Sequence, residues 1–186
     1  NLRVHHKSIQ DADGLDELRG SKYVQSDIGG TYVEAKQALV AGRKVLFSGT
    51  PCQVAGLYAY LRDEPDDLLT CDLICHGTPS PKVWRGYVGY MERRFGSRAT
   101  SVHFRDKRLG WKRATLLMRF ANGKEYVNPL GKVPFTIGFY KGLFHRLSCH
   151  QCRFKGIDRF GDFTLGDFWG IRSRRPDLDD DRGTSL

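Results

Sequence analysis

Cys149-His150-Gln151-Cys152 has the C-x-x-C spacing that brings two sulfurs to one soft metal centre. Soon after it comes Gly161-Asp162-Phe163-Thr164-Leu165-Gly166-Asp167-Phe168-Trp169-Gly170, a stretch rich in glycine and aromatic residues and suited to a planar cofactor. A soft-metal clamp beside a seat for a flat ring points to redox chemistry. The pair supplies only half of the four sulfurs that an iron–sulfur cluster usually takes, so other cysteines must supply the rest.

The chain has five cysteines: Cys52, Cys71, Cys75, Cys149 and Cys152. An odd, clustered set is unlike the even disulfide framework of a small secreted scaffold and reads as metal ligation. Cys52, Cys75, Cys149 and Cys152 offer four thiolates, enough for a 4Fe-4S cluster, whose iron favours sulfur. The same ligands would also suit a structural zinc ion. Zinc sites, however, usually combine two compact C-x-x-C knuckles, whereas Cys52 and Cys75 stand singly. Cys71 is either a substitute ligand or a small buried thiol, the commoner fate of a cysteine in a strand. His76 and His150 each follow a cysteine, but adjacency along a chain does not provide the hydrogen-bond geometry of a Cys/His catalytic pair, and no catalytic residue is assigned.

Phe163, Phe168 and Trp169 can flank a flavin ring or simply fill core. No G-x-G-x-x-G follows a predicted strand, so a Rossmann dinucleotide site is excluded and any flavin is held otherwise. Gly20-Ser21-Lys22 and Ser48-Gly49-Thr50 offer backbone donors, hydroxyls and a cation for phosphate, or are plain turns.

The surrounding pattern says which elements carry these residues. Tyr32, Ala35 and Leu39 predict an amphipathic helix over 31–41, ended by Gly42. Lys44 to Ser48 is a short β-rich run, and Gly49 turns it into Thr50-Pro51-Cys52-Gln53. There Thr50 caps, Pro51 suits the first helical position and Gln53 completes a capping box, so Cys52 falls in the first turn. Val54, Leu57, Tyr58 and Leu61 form the apolar stripe of that helix. A strand follows from Leu69 to Cys75. Ser80 and Pro81 then open a helix carrying Val83, Trp84, Tyr87, Met91 and Phe95. A strand–helix–parallel strand unit puts both strand ends on one edge, so Cys52 and Cys75 are predicted neighbours where open α/β sheets bind ligands. Runs at 100–105, 114–120 and 124–128, with an Asn122-Gly123 turn, predict antiparallel hairpins. A helix over 134–144 leads to Cys149, and 161–170 reads as strand and turn.

The expected class is α/β: a mixed sheet with a parallel β-α-β core, an antiparallel hairpin extension and flanking helices. We expect one catalytic-type domain over 1–186, with the core at 31–96 and the hairpin, helix and Cys-rich segment at 97–186. The opening at Asn1 and the stop after the acidic loop read as an excerpt of a longer chain. The 186 residues are 40% hydrophobic, enough for a core, and no apolar run is long enough to span a bilayer or form a signal-peptide centre, so a cytoplasmic location is expected. The formal charge of +9 centres on 82–113, with Arg93, Arg94, Arg98, Arg105, Lys107, Arg108, Lys112 and Arg113. Such a field attracts an anionic cofactor or an acidic partner, or is an ordinary solvated face. No nucleic-acid recognition module is present. The rival reading is a zinc-stabilised binding module whose basic surface takes nucleic acid or an acidic protein.

Five segments together resemble the coenzyme F420 hydrogenase/dehydrogenase beta-subunit family: 20–26 (Gly-Ser-Lys-Tyr-Val-Gln-Ser), 45–53, 75–80, Phe104-Arg105-Asp106-Lys107 with Gly110-Trp111, and 148–170. The resemblance covers most of the chain. It implies an iron–sulfur flavoprotein oxidoreductase passing electrons between a 4Fe-4S cluster, FAD and coenzyme F420 or another carrier. It also implies Cys52, Cys75, Cys149 and Cys152 as cluster ligands, and Ser21, Lys22, Ser48, Gly49, Thr50, Asp167 and Trp169 as the cofactor-binding set. The expected partners are a ferredoxin-like module or other redox subunit and an anionic electron carrier.

Overall fold

The computed structural model describes residues 2–186. In chain order the elements are α1 (Leu15–Leu18), α2 (Thr31–Val40), β1 (Val45–Ser48), α3 (Pro51–Leu61), β2 (Leu68–Leu73), α4 (Pro81–Phe95), β3 (Ala99–Asp106), β4 (Thr115–Phe120), β5 (Glu125–Pro129), α5 (Pro134–Tyr140), α6 (Leu147–His150), β6 (Phe163–Leu165) and α7 (Ile171–Arg174). The class is mixed α/β. Its strands fall into two three-stranded sheets: β1-β2-β6, all parallel, and β3-β4-β5, antiparallel.

The β1–α3–β2 unit forms as the sequence predicts, with Ser48 opposite Cys71. Thr50 N–H donates to Gln53 Oε1 at 3.0 Å, closing the first turn of α3. Buried Val54 and Leu57 of α3 meet Ala35 of α2, Phe47 of β1 and Leu68 of β2 in one small core. Gly42 ends α2 in a Schellman turn, its N–H donating to Leu39 O and that of Arg43 to Ala38 O. The opposite face of this sheet carries Leu46, Leu69, Leu73, Phe163 and Leu165, all exposed.

A larger core lies between α4 and the antiparallel sheet. Trp84 and Met91 pack there with Phe104, Leu116, Met118, Phe120 and Phe135. Complete burial of side chains such as Leu116 and Met118 contributes about 2 kcal/mol each. Phe95 stacks on Phe120 with ring centroids 4.4 Å apart.

Three boundaries differ from expectation. The middle strand β2 stops at Leu73, leaving Cys75 in the loop beyond. Ile74 N–H still donates to Leu165 O at 2.9 Å, but the backbone of Gly166 pairs with Leu186, so no ladder partner remains for Cys75. Helix α5 ends at Tyr140 rather than Phe144, because Gly142 takes φ +68 and closes a Schellman turn with Leu143 N–H on Gly138 O. The strand read within 161–170 narrows to β6, which pairs in parallel with β2 and places Leu165 opposite Leu73.

Candidate functional site

Three parallel strands present their carboxyl ends on one edge, so the segments after Ser48, Leu73 and Leu165 lie together there. These segments carry Cys52, Cys75 and Asp167. Cys52 is exposed in the first turn of α3, one residue after the Pro51 that opens the helix. Thr50 Oγ1 is 3.2 Å from its sulfur. The turn at Gly49 is tightly packed: a Cβ there would sit 3.2 Å from both the Phe47 ring and Gln53.

The loop from Cys75 to Pro79 is bound to the segment that carries Cys149. Arg146 N–H donates to Thr78 O at 3.0 Å and Cys149 N–H to Arg146 O at 2.8 Å. Thr78 Oγ1 lies 3.6 Å from Cys149 Sγ. Burial pushes the Cys75 thiol above its ordinary range, and the nearby thiols of Cys52, Cys149 and Cys152 push it the same way, against a hydrogen bond at Gly77. Cys75 thus sits within electrostatic reach of the other three. All five cysteines are free thiols, and among the described residues no group of three or more His, Cys, Asp or Glu side chains stands ready to hold a metal ion. The donor chemistry suits a cluster, since four sulfurs come from three segments, but the sulfurs are not drawn into coordination. Cys71 stays in β2, where burial and the adjacent Asp72 raise its thiol.

Beyond β6 lies a second feature. Arg105 of β3 pairs through Nη1 with Asp167 Oδ2. Its guanidinium carbon is 5.5 Å from the Trp111 ring and 5.6 Å from the Trp169 ring, and the two indoles stack with centroids 4.3 Å apart. Arg105 Nε is buried without a partner. Arg105, Trp111 and Trp169 line a cleft of about 700 Å³ with Lys112, Arg113 and Tyr140. Burial, reinforced by Tyr23, raises the Tyr140 phenol.

The remaining candidates are spread more widely. Lys22 Nζ donates to the carbonyls of Leu18, Arg19 and Gly20 at 2.9–3.2 Å, so its ammonium caps the turn after α1 instead of pointing outward. Ser48 O accepts from His6 Nε2 at 3.2 Å. Part of the basic strip is ion-paired, Arg108 with Asp106 and Glu125 and Lys112 with Asp179, and Arg119 beyond it pairs with Glu125. Sequence reasoning counted Arg105 among surface charges and missed its burial. Alternation alone would set Arg105 on the face opposite buried Phe104; the only mark of its burial was its place just ahead of the turn that bears Trp111.

The chain is a mixed α/β protein with cysteines following the carboxyl ends of its parallel strands. Residues 42–186 match the family model for the C terminus of the coenzyme F420 hydrogenase/dehydrogenase beta subunit. The chain belongs to this family of oxidoreductase subunits. A solved structure from the F420-reducing NiFe hydrogenase complex of Methanosarcina barkeri is similar at 20% identity and TM-score 0.46, over 80% of this chain and 47% of that one. The chain therefore spans about half the length of that structure. No curated protein sequence matches it. Among the described residues no helix is long and apolar enough to cross a membrane.

Proposed function

We propose that this chain is the electron-transferring unit of an iron–sulfur flavoprotein, holding a 4Fe-4S cluster on Cys52, Cys75, Cys149 and Cys152 and working with FAD and coenzyme F420 or another carrier. The observation that most supports this reading is the shared sheet edge: Cys52 follows β1, Cys75 follows β2, and Thr78 of the Cys75 loop accepts from Arg146 N–H and lies 3.6 Å from Cys149 Sγ. When bound, the cluster would supply one-electron transfer and the flavin the exchange between one and two electrons.

The chain's own residues have definable tasks. The start of α3 holds Cys52 at the sheet edge, and the hydroxyls of Thr50 and Thr78 stand where they tune the sulfurs of Cys52 and Cys149. Asp167 fixes Arg105 against Trp111 and Trp169, giving a flat, cationic wall for an electron-rich ring. Ser21, Ser48, Gly49 and Thr50 serve as further cofactor contacts, while Lys22 acts by holding its own turn in shape. The electron path is completed by a ferredoxin-like module or another redox protein.

Oxygen-free purification of the full-length protein, with iron, sulfide and flavin quantified, tests this reading. The expected result includes four irons assigned to this site, lost when Cys52→Ser and Cys149→Ser are combined. One zinc and no iron would overturn it.

A further inference from the structure

Asp72 lies within the central strand β2 and is 1% exposed, a position where an unpaired carboxylate is costly. Its counter-charge is Arg159, whose Nη2 donates to Asp72 Oδ1 at 2.9 Å. The rest of the guanidinium is also committed. Nη2 donates to Leu73 O at 2.8 Å, Nη1 to Gly156 O at 3.3 Å and Nε to Thr164 Oγ1 at 3.2 Å. Thr164 Oγ1 donates in turn to Asp72 Oδ1 at 2.7 Å, and Gly161 N–H reaches Asp72 Oδ2 at 3.3 Å.

The carbonyls gripped by this one planar group belong to two different segments. Leu73 ends the strand that leads into Cys75, and Gly156 lies in the loop that leaves Cys152. A buried charge pair needs no contact with either carbonyl. An arginine fork can make all of these bonds at once because its donors lie in a fixed plane, whereas a lysine supplies the charge from a single point.

We infer that Arg159, seated on Asp72, is a positioning residue that sets the separation of the Cys75 and Cys152 segments and so controls how firmly the thiol site retains its cluster. The retention part rests on the function proposed above. The positioning part does not.

The test uses Arg159→Lys, which keeps a cation for Asp72 and loses the fork. In a background of Cys52→Ser, Cys71→Ser and Cys149→Ser, apoprotein is treated with dibromobimane, a short thiol cross-linker, and the rate of joining Cys75 to Cys152 is followed. In the unsubstituted cysteine background, iron loss to a chelator is timed after anaerobic reconstitution. Arg159→Lys should slow cross-linking and speed iron loss about tenfold, the scale of residues that orient metal ligands. Lys155→Gln, in the same loop and exposed, should change neither. Unchanged cross-linking in Arg159→Lys overturns the inference whatever the iron does. A protein that takes up no iron, yet shows the cross-linking contrast, overturns the cluster reading and leaves the positioning role standing. Should Arg159→Lys melt early, Thr164→Val, which removes the Nε acceptor and one hydrogen bond to Asp72 but keeps both charges, is judged by the same two rates.

Discussion

Trp169 stacks on Trp111 with centroids 4.3 Å apart and planes 25° from parallel, yet the first indole is 65% exposed and the second 4%. Trp111 is part of the wall, and Trp169 is the ring left with a free face. A flavin stacking on that face would lose its partner in Trp169→Ala. Aromatic stacking contributes about 1 kcal/mol beyond area burial, so FAD affinity should fall at least about fivefold with little change in melting temperature. Fluorescence titration of the variant with FAD checks this, and unchanged affinity would remove Trp169 from the cofactor set.

Arg105 gives a second expectation. Its side chain is 9% exposed while Asp167 is 39% exposed, so the pair is half-screened and its breakage costs less than that of a fully buried pair. Asp167→Asn should destabilise the protein by about 1–2 kcal/mol, read as a lower urea midpoint at constant slope. Asp167→Glu should recover part of the loss if the charge, and not the turn after β6, is what matters.

A pH effect follows from His6. Burial lowers its pKa below the ordinary value, while Nδ1 bonds Ser26 Oγ at 2.8 Å and the ring stacks on Phe47 at 5.4 Å. The unfolded chain binds the proton more readily than the folded one, so the stability from neutral His6 is fully present above about pH 6.5. It is lost as the pH falls through the lower folded value. His6→Phe keeps a ring over Phe47 and cannot titrate, so its melting temperature should fall less than wild type between pH 7.5 and 5.5. His145 shifts in the same direction through burial and is common to both proteins, so it cancels in the comparison.

The β1–α3–β2 unit was legible because local chemistry decided it: Thr50, Pro51 and Gln53 specify a helix start whatever surrounds them, and Cys52 is carried to its place by that turn. The three-stranded hairpin sheet was legible through its turn residues and alternation. A strand within 161–170 was legible too, but its place beside β2 was not, because that pairing rests on bonds joining Thr70 and Asp72 to Arg159 and Asp162, far off in sequence. Long-range polar bonds of this kind leave one faint mark, a charged residue inside an apolar strand. The fate of Lys22 was equally hidden: whether an ammonium faces a phosphate or its own turn is set by the fold of the preceding turn, not by residue type.

Gly77 joins fold to site most directly. Its φ of +119 lies where side chains other than hydrogen are strained, and a Cβ would come within 2.7 Å of His145 Nδ1. Either the loop shifts or the imidazole does. His145 is part of the segment bridged to Pro79 that continues into Arg146 and Cys149, so a shift on one side is passed to the other. Gly77→Ala should cost about 1–3 kcal/mol from backbone strain alone. It should also disturb the approach of Cys75 to Cys149, so iron uptake on reconstitution should drop by more than the loss of folded protein explains. Circular dichroism gives the folded fraction and iron analysis the uptake. If the two fall in parallel, Gly77 supports the fold and has no separate hold on the thiol site.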